Sequence, residues 1–301
     1  MGWFGRKPSE DDVVAEVTRL ARTALAERGI ETVVESTGDP ANPLLRADAS
    51  TSYQLGNLIA QCHGAPRRQW AELVQNHVAI VDAAMHADRD TVLDADALRT
   101  QIRTRLLADL GPEDPTDLGY ARPLAPGLVL ALGIDFPDTV ATLTGSALGD
   151  LAIGVDEAYE LGQRNADAEP IDERDALSSE ITILVGDSLF IATKVANMEN
   201  LVRTEIGPAP NGVIFAVPHR SLIALIVVRD AQSLVAVGAL KAVVDGFASG
   251  QYGPLPGGLI SPDLYFWFDG EIERITGNPD LAPDAVDARG RLGEVAARLD
   301  A

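Results

Sequence analysis

Short apolar runs joined by tight-turn residues recur in the second half of this 301-residue chain, and they constrain its fold more than any other feature. Each run has the length of a β-strand, and two such runs around a tight turn form an antiparallel hairpin. A segment with helical periodicity follows each of the first three pairs. Hairpins are predicted over 127–144, 181–195, 212–228 and 264–275.

This order of elements favours an α+β fold, a mostly antiparallel sheet built from hairpin-helix units. A doubly wound parallel sheet would instead alternate single strands with helices. The smaller N-terminal region is mainly helical, and its first helix begins at the N-cap Ser9, with Asp12 completing a capping box. The predicted parts are a helix-hairpin-helix-helix region at 1–88, a helical and loop linker at 89–126 with one helix over 94–110, an α+β domain at 127–278, and an acidic tail at 279–301.

The charge balance argues against a nucleic-acid partner. Lys and Arg total 24 and Asp and Glu total 45, so the formal net charge is -21. A negative field repels phosphate backbones, and no concentrated basic stripe offsets it. Hydrophobic residues make up 46% of the chain and charged residues 23%, which is typical of an ordinary globular protein.

The sequence contains no motif that indicates a metal, a cofactor or a catalytic nucleophile. A Gly-x-Ser-x-Gly elbow, a Gly-x-Gly-x-x-Gly turn and a P-loop lysine are all absent from it. We therefore predict no catalytic residue, no metal site and no cofactor. The four histidines do not fall into a metal-ligand spacing: His63, His77, His86 and His219.

The most unusual polar cluster is Pro218-His219-Arg220, which separates two strongly apolar strands. At a hairpin corner, His219 and Arg220 could hold an anion or a partner's carboxylate. The alternative interpretation is a solvated turn. Asn165, at the end of the helix predicted over 155–166, is a second candidate polar contact or else a helix cap.

Four successive aromatic residues, Tyr265 to Phe268, stand out in a chain that is only 5% aromatic. In a strand, Tyr265 and Trp267 share one face and Phe266 and Phe268 share the other. If both faces are covered, the segment is a core strand. If one face is bare, Tyr265 and Trp267 form an interface or ligand patch.

We expect a cytoplasmic protein without integral membrane association. The single cysteine, Cys62, cannot form an internal disulfide, which suits a reducing compartment. The longest apolar-rich run, 212–228, is interrupted by polar residues and falls short of the roughly 20 residues of a bilayer span. Trp3 and Phe4, followed by two cations, form either a frayed terminus or a weak membrane contact.

Several stretches of the C-terminal half resemble the YtpQ-like family of uncharacterised bacterial proteins. They include Gln163-Arg164-Asn165-Ala166, Gly186-Asp187-Ser188-Leu189-Phe190 and Phe247-Ala248-Ser249-Gly250. The resemblance spans roughly residues 125–275, but Arg220-Ser221 departs from the family pattern. It implies a fold and a bacterial cytosolic origin, not a chemistry.

Two functions follow as hypotheses. The first is a non-catalytic, chaperone-like module that binds a protein partner, consistent with the absence of catalytic motifs. The second is an enzyme or small-anion binder with a polar site around His219 and Arg220. A homodimer formed through a sheet edge or through the aromatic strand is compatible with both.

Overall fold

The computed structural model describes residues 9–35, 43–47, 52–86, 95–111, 117–136, 139–252, 258–282 and 285–299. Two compact units are present: Met1–Arg89 with Tyr252–Gly258 forms unit 1, and Asp90–Gln251 with Leu259–Ala301 forms unit 2. The Trp3-Phe4 head lies outside the described residues.

Unit 1 packs three helices against a small antiparallel sheet. The capping box predicted for its first helix is confirmed, because Ser9 Oγ accepts from the Asp12 N–H (3.3 Å) and the Asp12 carboxylate accepts from the Ser9 N–H (3.1 Å). Gly29 follows with φ at 79°, a left-handed conformation that glycine adopts without strain. The elements are α1 (Glu10–Ala26), β1 (Val33–Glu35), β2 (Leu44–Arg46), β3 (Ser52–Gln54), α2 (Gly56–Gly64) and α3 (Trp70–His86), with strand order β1-β2-β3.

A four-stranded antiparallel sheet opens unit 2. Its longest strand, at 128–136, pairs along one edge with the first strand of the sheet, at 102–108. Along its other edge it pairs with two short strands, one at each of its ends. Two helices cover one face of this sheet around Leu132 and Ile134. The elements are α4 (Ala95–Gln101), β4 (Ile102–Ala108), β5 (Arg122–Ala125), β6 (Leu128–Phe136), β7 (Thr139–Thr142) and α5 (Val155–Asp167).

The second sheet of unit 2 has six strands, all antiparallel, in the order β13-β12-β10-β11-β9-β8. One face packs against the segment 191–206 and against Leu106 and Leu128 of the first sheet. Helices cover the other face, so the central strands are apolar on both sides. The elements are β8 (Glu173–Ala176), β9 (Ile181–Val185), α6 (Met198–Leu201), β10 (Val213–Ala216), β11 (Leu222–Val227), α7 (Ala231–Val235), α8 (Val237–Ala248), β12 (Tyr265–Phe268), β13 (Glu271–Arg274) and α9 (Arg291–Leu299).

The α+β class is therefore confirmed, and the described strands pair antiparallel in three sheets. The hairpin predicted around Asp269-Gly270 is also confirmed, with φ of 52° and 81° at these two residues. Two positive φ values in a two-residue loop match the strand twist of a hairpin.

The helix predicted over 94–110 is confirmed over Ala95–Gln101 and is wrong beyond it, because α4 ends at Gln101 and β4 begins at once. Residues 102–108 pair with seven residues of β6, and Ile102, Thr104 and Leu106 alternate as buried positions. The local sequence suits a helix, but the paired residues of β6 lie 20 to 32 positions further along the chain, and that pairing decides the conformation.

The strand predicted over 188–195 is also wrong. Residues 191–197 form a 3-10 helix, and β9 pairs with β8 and β11 instead. The N–H of Ala192 bonds to the carbonyl of Arg220 (2.9 Å), and Thr193 Oγ1 accepts from the N–H of Leu106 (3.0 Å). This short helix therefore joins both sheets of unit 2.

The acidic tail packs on unit 2, because α9 places Leu292 and Val295 in the apolar cluster beneath the six-stranded sheet. Within the described chain, the window Ala231–Ala248 is long and apolar enough to span a membrane by length and composition alone. Its residues Val237, Leu240 and Val244 are buried in that same cluster.

Candidate functional site

The corner between β10 and β11 is held in place by hydrogen bonds from two other segments. The Ile260 N–H donates to the Pro218 carbonyl (2.9 Å), and Ser221 Oγ donates to the Ser188 carbonyl (3.0 Å). Both polar side chains at the corner are buried, each with 8% exposure, so the solvated-turn interpretation of His219 and Arg220 is wrong.

His219 is held by the corner itself. Its Nδ1 accepts from the Ser221 N–H (3.3 Å), which leaves the proton on Nε2, and its ring meets Phe247 edge-on at 5.6 Å between centroids. Burial, together with the positive charge of Arg220, lowers the pKa of His219 to about 4. His219 is therefore a neutral, packed side chain near pH 7.

The Arg220 side chain, unlike that of His219, has no hydrogen-bond partner among the described residues. Among the described residues, no side chain or carbonyl accepts a hydrogen bond from its guanidinium, and no carboxylate oxygen lies within 4.0 Å of it. Burial, together with the positive charge of Arg105, lowers the pKa of Arg220 to about 9. Because this pKa is still above neutrality, the buried group carries its charge at pH 7.

Arg105 supplies the second charge from β4. Its Nη1 donates to the Thr142 hydroxyl on β7, and burial lowers its pKa to about 10. Arg103, two residues earlier on the same face of the strand, differs from Arg105 in having carboxylate partners. Arg103 pairs with Glu169 (3.0 Å) and Asp135 (3.5 Å), whereas no carboxylate in the described parts of the chain pairs with Arg105.

Tyr120 lies beside Arg105 without neutralising it. Its hydroxyl donates to the Leu143 carbonyl (2.7 Å) and accepts from the Leu132 N–H (3.0 Å), and burial raises the pKa of Tyr120 to about 12. The phenol is therefore neutral and already bonded. We call Arg105 and Arg220 together the arginine pair.

Asn165 does not join the arginine pair. Its side-chain amide donates to the carbonyls of Arg99 and Ile102, both at 2.9 Å, which fixes α5 to the junction of α4 and β4. Asn165 therefore caps carbonyl groups of a neighbouring element.

Tyr265 and Trp267 also lie elsewhere, in the apolar cluster on one face of the six-stranded sheet. Tyr265 has no exposed surface; its ring stacks on Phe215 at 5.6 Å, and its hydroxyl lies 2.9 Å from Ser261 Oγ. Phe266 is fully buried on the opposite face. Both faces are covered, so the segment is a core strand.

A second buried polar cluster connects α5 to the 3-10 helix. The Lys194 ammonium donates to the carbonyl of Asp167 (2.6 Å), and Gln163 Nε2 donates to the Asp167 carboxylate (2.8 Å). Burial raises the pKa of Asp167 and lowers that of Lys194. These groups satisfy one another, as a structural network does.

The described residues contain no group of three His, Cys, Asp or Glu side chains placed to hold a metal ion. Cys62 is buried, and burial raises the pKa of its thiol to about 11. A thiol with that pKa is a poor nucleophile near neutrality.

Among the buried residues that the structure describes, Arg220 is thus the charged side chain without a partner, and the half-buried Arg105 has only the Thr142 hydroxyl. The sequence pointed to Arg220 through its position between two apolar strands. It did not single out Arg105, because the pattern over 94–110 predicts a helix. Only the alternation of Arg103 and Arg105 with apolar and hydroxyl side chains indicated a strand there.

Comparison with known proteins adds no identity, since no family model, curated protein or solved structure matches this chain.

Proposed function

We propose that this chain is a non-catalytic binding protein for a small anion, held in unit 2 by Arg105 and Arg220. One observation carries the proposal: Arg220 as a residue is only 8% exposed, and its guanidinium has no hydrogen-bond or ion-pair partner in the described structure. Membership of the YtpQ-like family and a cytoplasmic location stay predictions.

The energetics support an anionic ligand. Removing a cation from water costs several kcal/mol in a real protein, and that penalty is recovered only when an opposite charge or good acceptors replace the water. A second guanidinium nearby adds repulsion. An anion between the two would relieve both penalties through charge-assisted hydrogen bonds.

The surroundings make this site exceptional. The whole chain has a formal net charge of -21, and Arg103, on the same strand as Arg105, pairs with two carboxylates. Acidic side chains are therefore available as partners. Neither Arg105 nor Arg220 has a carboxylate partner in the described structure all the same, which is expected of groups that meet a ligand.

The test is a titration of the full chain with a panel of small anions at constant ionic strength, following the thermal midpoint. A specific anion raises the midpoint in a saturable way, since it binds only the folded state. Arg220→Gln should abolish the saturable part. Arg229→Gln, at an exposed arginine near the end of β11, is the matched control and should retain it. A response that is the same in all three proteins would contradict the proposal, because salts also stabilise proteins nonspecifically.

We propose a second candidate function, binding of an extended segment of a protein partner, for unit 1. The edge strand β1 exposes 68% of Val33 and 45% of Val34, and exposed edge strands accept added strands. The double variant Val33→Lys with Val34→Lys should abolish co-purification of a stoichiometric partner from the native lysate. Absence of such a partner for the unaltered chain at every salt concentration would count against it.

A further inference from the structure

We infer that a groove in unit 1 binds an extended protein segment that carries an acidic side chain, a basic side chain and a hydroxyl or amide side chain. The groove lies between α1 and residues 31–32, which directly precede β1. The inference rests on the second candidate function, strand addition at β1, because it specifies the side chains of the segment that β1 accepts.

The groove adjoins the outer edge of the small sheet. Its volume is about 380 Å³, within the range of about 300–1,000 Å³ that ligand sites occupy. Among the described strands, β1 pairs with β2 alone. Because α1 packs Val17 and Leu25 against Leu45 of this sheet, a strand added to β1 turns one face towards α1, where the groove lies.

Two threonine hydroxyls at the groove lack partners. Thr18 and Thr32 both line it, and in the described structure neither hydroxyl oxygen has a hydrogen-bond partner although both oxygens are buried. Thr32 as a residue is only 7% exposed. Thr23 lines the groove too, but its hydroxyl donates to the Arg19 carbonyl (3.0 Å). Because a buried polar group without a partner is costly, and hydroxyl and amide groups both donate and accept, such a side chain is the expected occupant here.

The two walls of the groove carry opposite charges that do not pair. Arg22 lies on the α1 wall and Glu31 on the other. Within the described parts of the chain, neither of them lies within 4.0 Å of an opposite charge. Arg19, also on α1, pairs with Glu16 (3.0 Å), so its charge is already compensated. A segment that presents an acid to Arg22 and a base to Glu31 complements both walls.

The experiment is a fluorescence polarisation titration of the full chain with blocked peptides of about eight residues, the length of a strand. Valine occupies alternate positions, and the remaining positions, which share one face, carry serine and two charged residues. The mixed peptide has one aspartate and one lysine, in either order, the acidic peptide has two aspartates, and the basic peptide has two lysines. The unaltered chain should bind the mixed peptide about three- to tenfold more tightly than either of the others.

Charge reversal on each wall should change this preference in a defined direction. Arg22→Glu should bind the basic peptide best, because both walls are then acidic, and Glu31→Lys should bind the acidic peptide best. Arg68→Glu, at an exposed arginine of unit 1 outside the groove, changes the net charge as Arg22→Glu does and should keep the preference for the mixed peptide. The same order of affinities in all four proteins would overturn the inference.

The threonines have a test of their own. Thr32→Val keeps the shape of the side chain and removes an unpaired hydroxyl, so the variant should have a higher thermal midpoint than the unaltered chain. The unaltered chain should bind the mixed peptide about three- to tenfold more tightly with serine than with alanine in its place, and Thr32→Val should lose this difference. Thr204→Val, at an exposed position of unit 2, should keep it. A serine preference that survives in the double variant Thr18→Val with Thr32→Val would overturn the assignment of these hydroxyls.

The outcomes distinguish this inference from strand addition itself. A mixed peptide methylated at every backbone nitrogen lacks the N–H groups of a strand ladder and should not bind, and the double variant Val33→Lys with Val34→Lys should not bind the unmethylated one. Equal binding of the mixed, acidic and basic peptides, lost in that double variant, would overturn the inference and leave strand addition standing. No saturable binding of any peptide would overturn the inference, while the co-purification experiment still decides strand addition. Tight binding of the methylated peptide would overturn both, since the groove would then hold a ligand that does not pair with β1.

Discussion

Arg105 lies on β4 of the first sheet of unit 2 and Arg220 at the corner between β10 and β11 of the second, yet the charge of Arg105 lowers the pKa of Arg220. The 3-10 helix at 191–197 brings the two sheets together, since it bonds to the Arg220 carbonyl and to the N–H of Leu106. Like charges that a fold brings together are destabilising unless a further group compensates them.

Replacing Arg220 by Met should stabilise the chain when no anion is present. The variant removes an unpaired buried charge and keeps much of the apolar stem, so the free energy of unfolding should rise by about 1–3 kcal/mol. Scanning calorimetry at low ionic strength measures the change as a higher midpoint. Arg229→Met, on an exposed arginine, should have almost no effect. A lower midpoint for Arg220→Met would mean that the guanidinium is already compensated.

Acid should destabilise unit 2 through His219. Its pKa in the folded chain is about 4, below its ordinary value of 6.5, so the folded state resists protonation. The stabilising contribution is complete above pH 6.5 and is lost as the pH falls towards 4, in total about 3 kcal/mol.

The check is the difference in unfolding free energy between the unaltered chain and His219→Asn, measured by urea denaturation from pH 7 to pH 4. Asn can accept the Ser221 N–H in place of Nδ1 but does not titrate, so the variant should lose less stability on acidification. His63→Asn, at an exposed position of α2, is the control. Parallel pH curves for all three proteins would rule out this role of His219.

Removing the side chain of Asn165 should weaken the fold and leave anion binding intact. Asn165→Ala deprives the exposed carbonyl of Arg99 and the partly buried carbonyl of Ile102 of their donor and should cost about 1–2 kcal/mol. Asn211→Ala removes a single bond to the Arg229 carbonyl at an exposed turn and should cost less. Thermal unfolding measures the stability, and the anion titration measures the site. A loss of anion affinity in Asn165→Ala would indicate that Asn165 does contribute to the binding site.

Two helical glycines should respond to alanine in opposite directions. A Cβ at Gly162 in α5 would lie 2.7 Å from the backbone nitrogen of Thr104, so Gly162→Ala must push α5 away from β4 and should cost about 1–3 kcal/mol. Gly238 in α8 has nothing within 4 Å of a Cβ, so Gly238→Ala should stabilise the chain by about 0.5–1 kcal/mol. Calorimetry of both variants checks the contrast, and equal effects would contradict the close packing of α5 on β4.

The elements that the sequence predicts well are those set by neighbouring residues. The cap at Ser9 depends on groups three residues apart, and the hairpin at Asp269-Gly270 depends on two residues that tolerate positive φ. Short-range chemistry of this kind is visible in the order of amino acids. The failures at 102–108 and 191–195 concern segments whose conformation depends on distant partners.

The same distinction between neighbouring and distant residues applies to the candidate site. The amino-acid sequence by itself determined the α+β class, the hairpins around β10–β11 and β12–β13, and the unusual position of His219 and Arg220 between apolar strands. Only the tertiary structure decided that His219 packs on Phe247, that Asn165 caps α4, that Tyr265 lies in the core, and that the charge of Arg105 acts on Arg220. Periodicity and turn chemistry act over a few residues, whereas burial and charge proximity depend on which strands and helices meet, and those contacts join residues that lie far apart in the sequence.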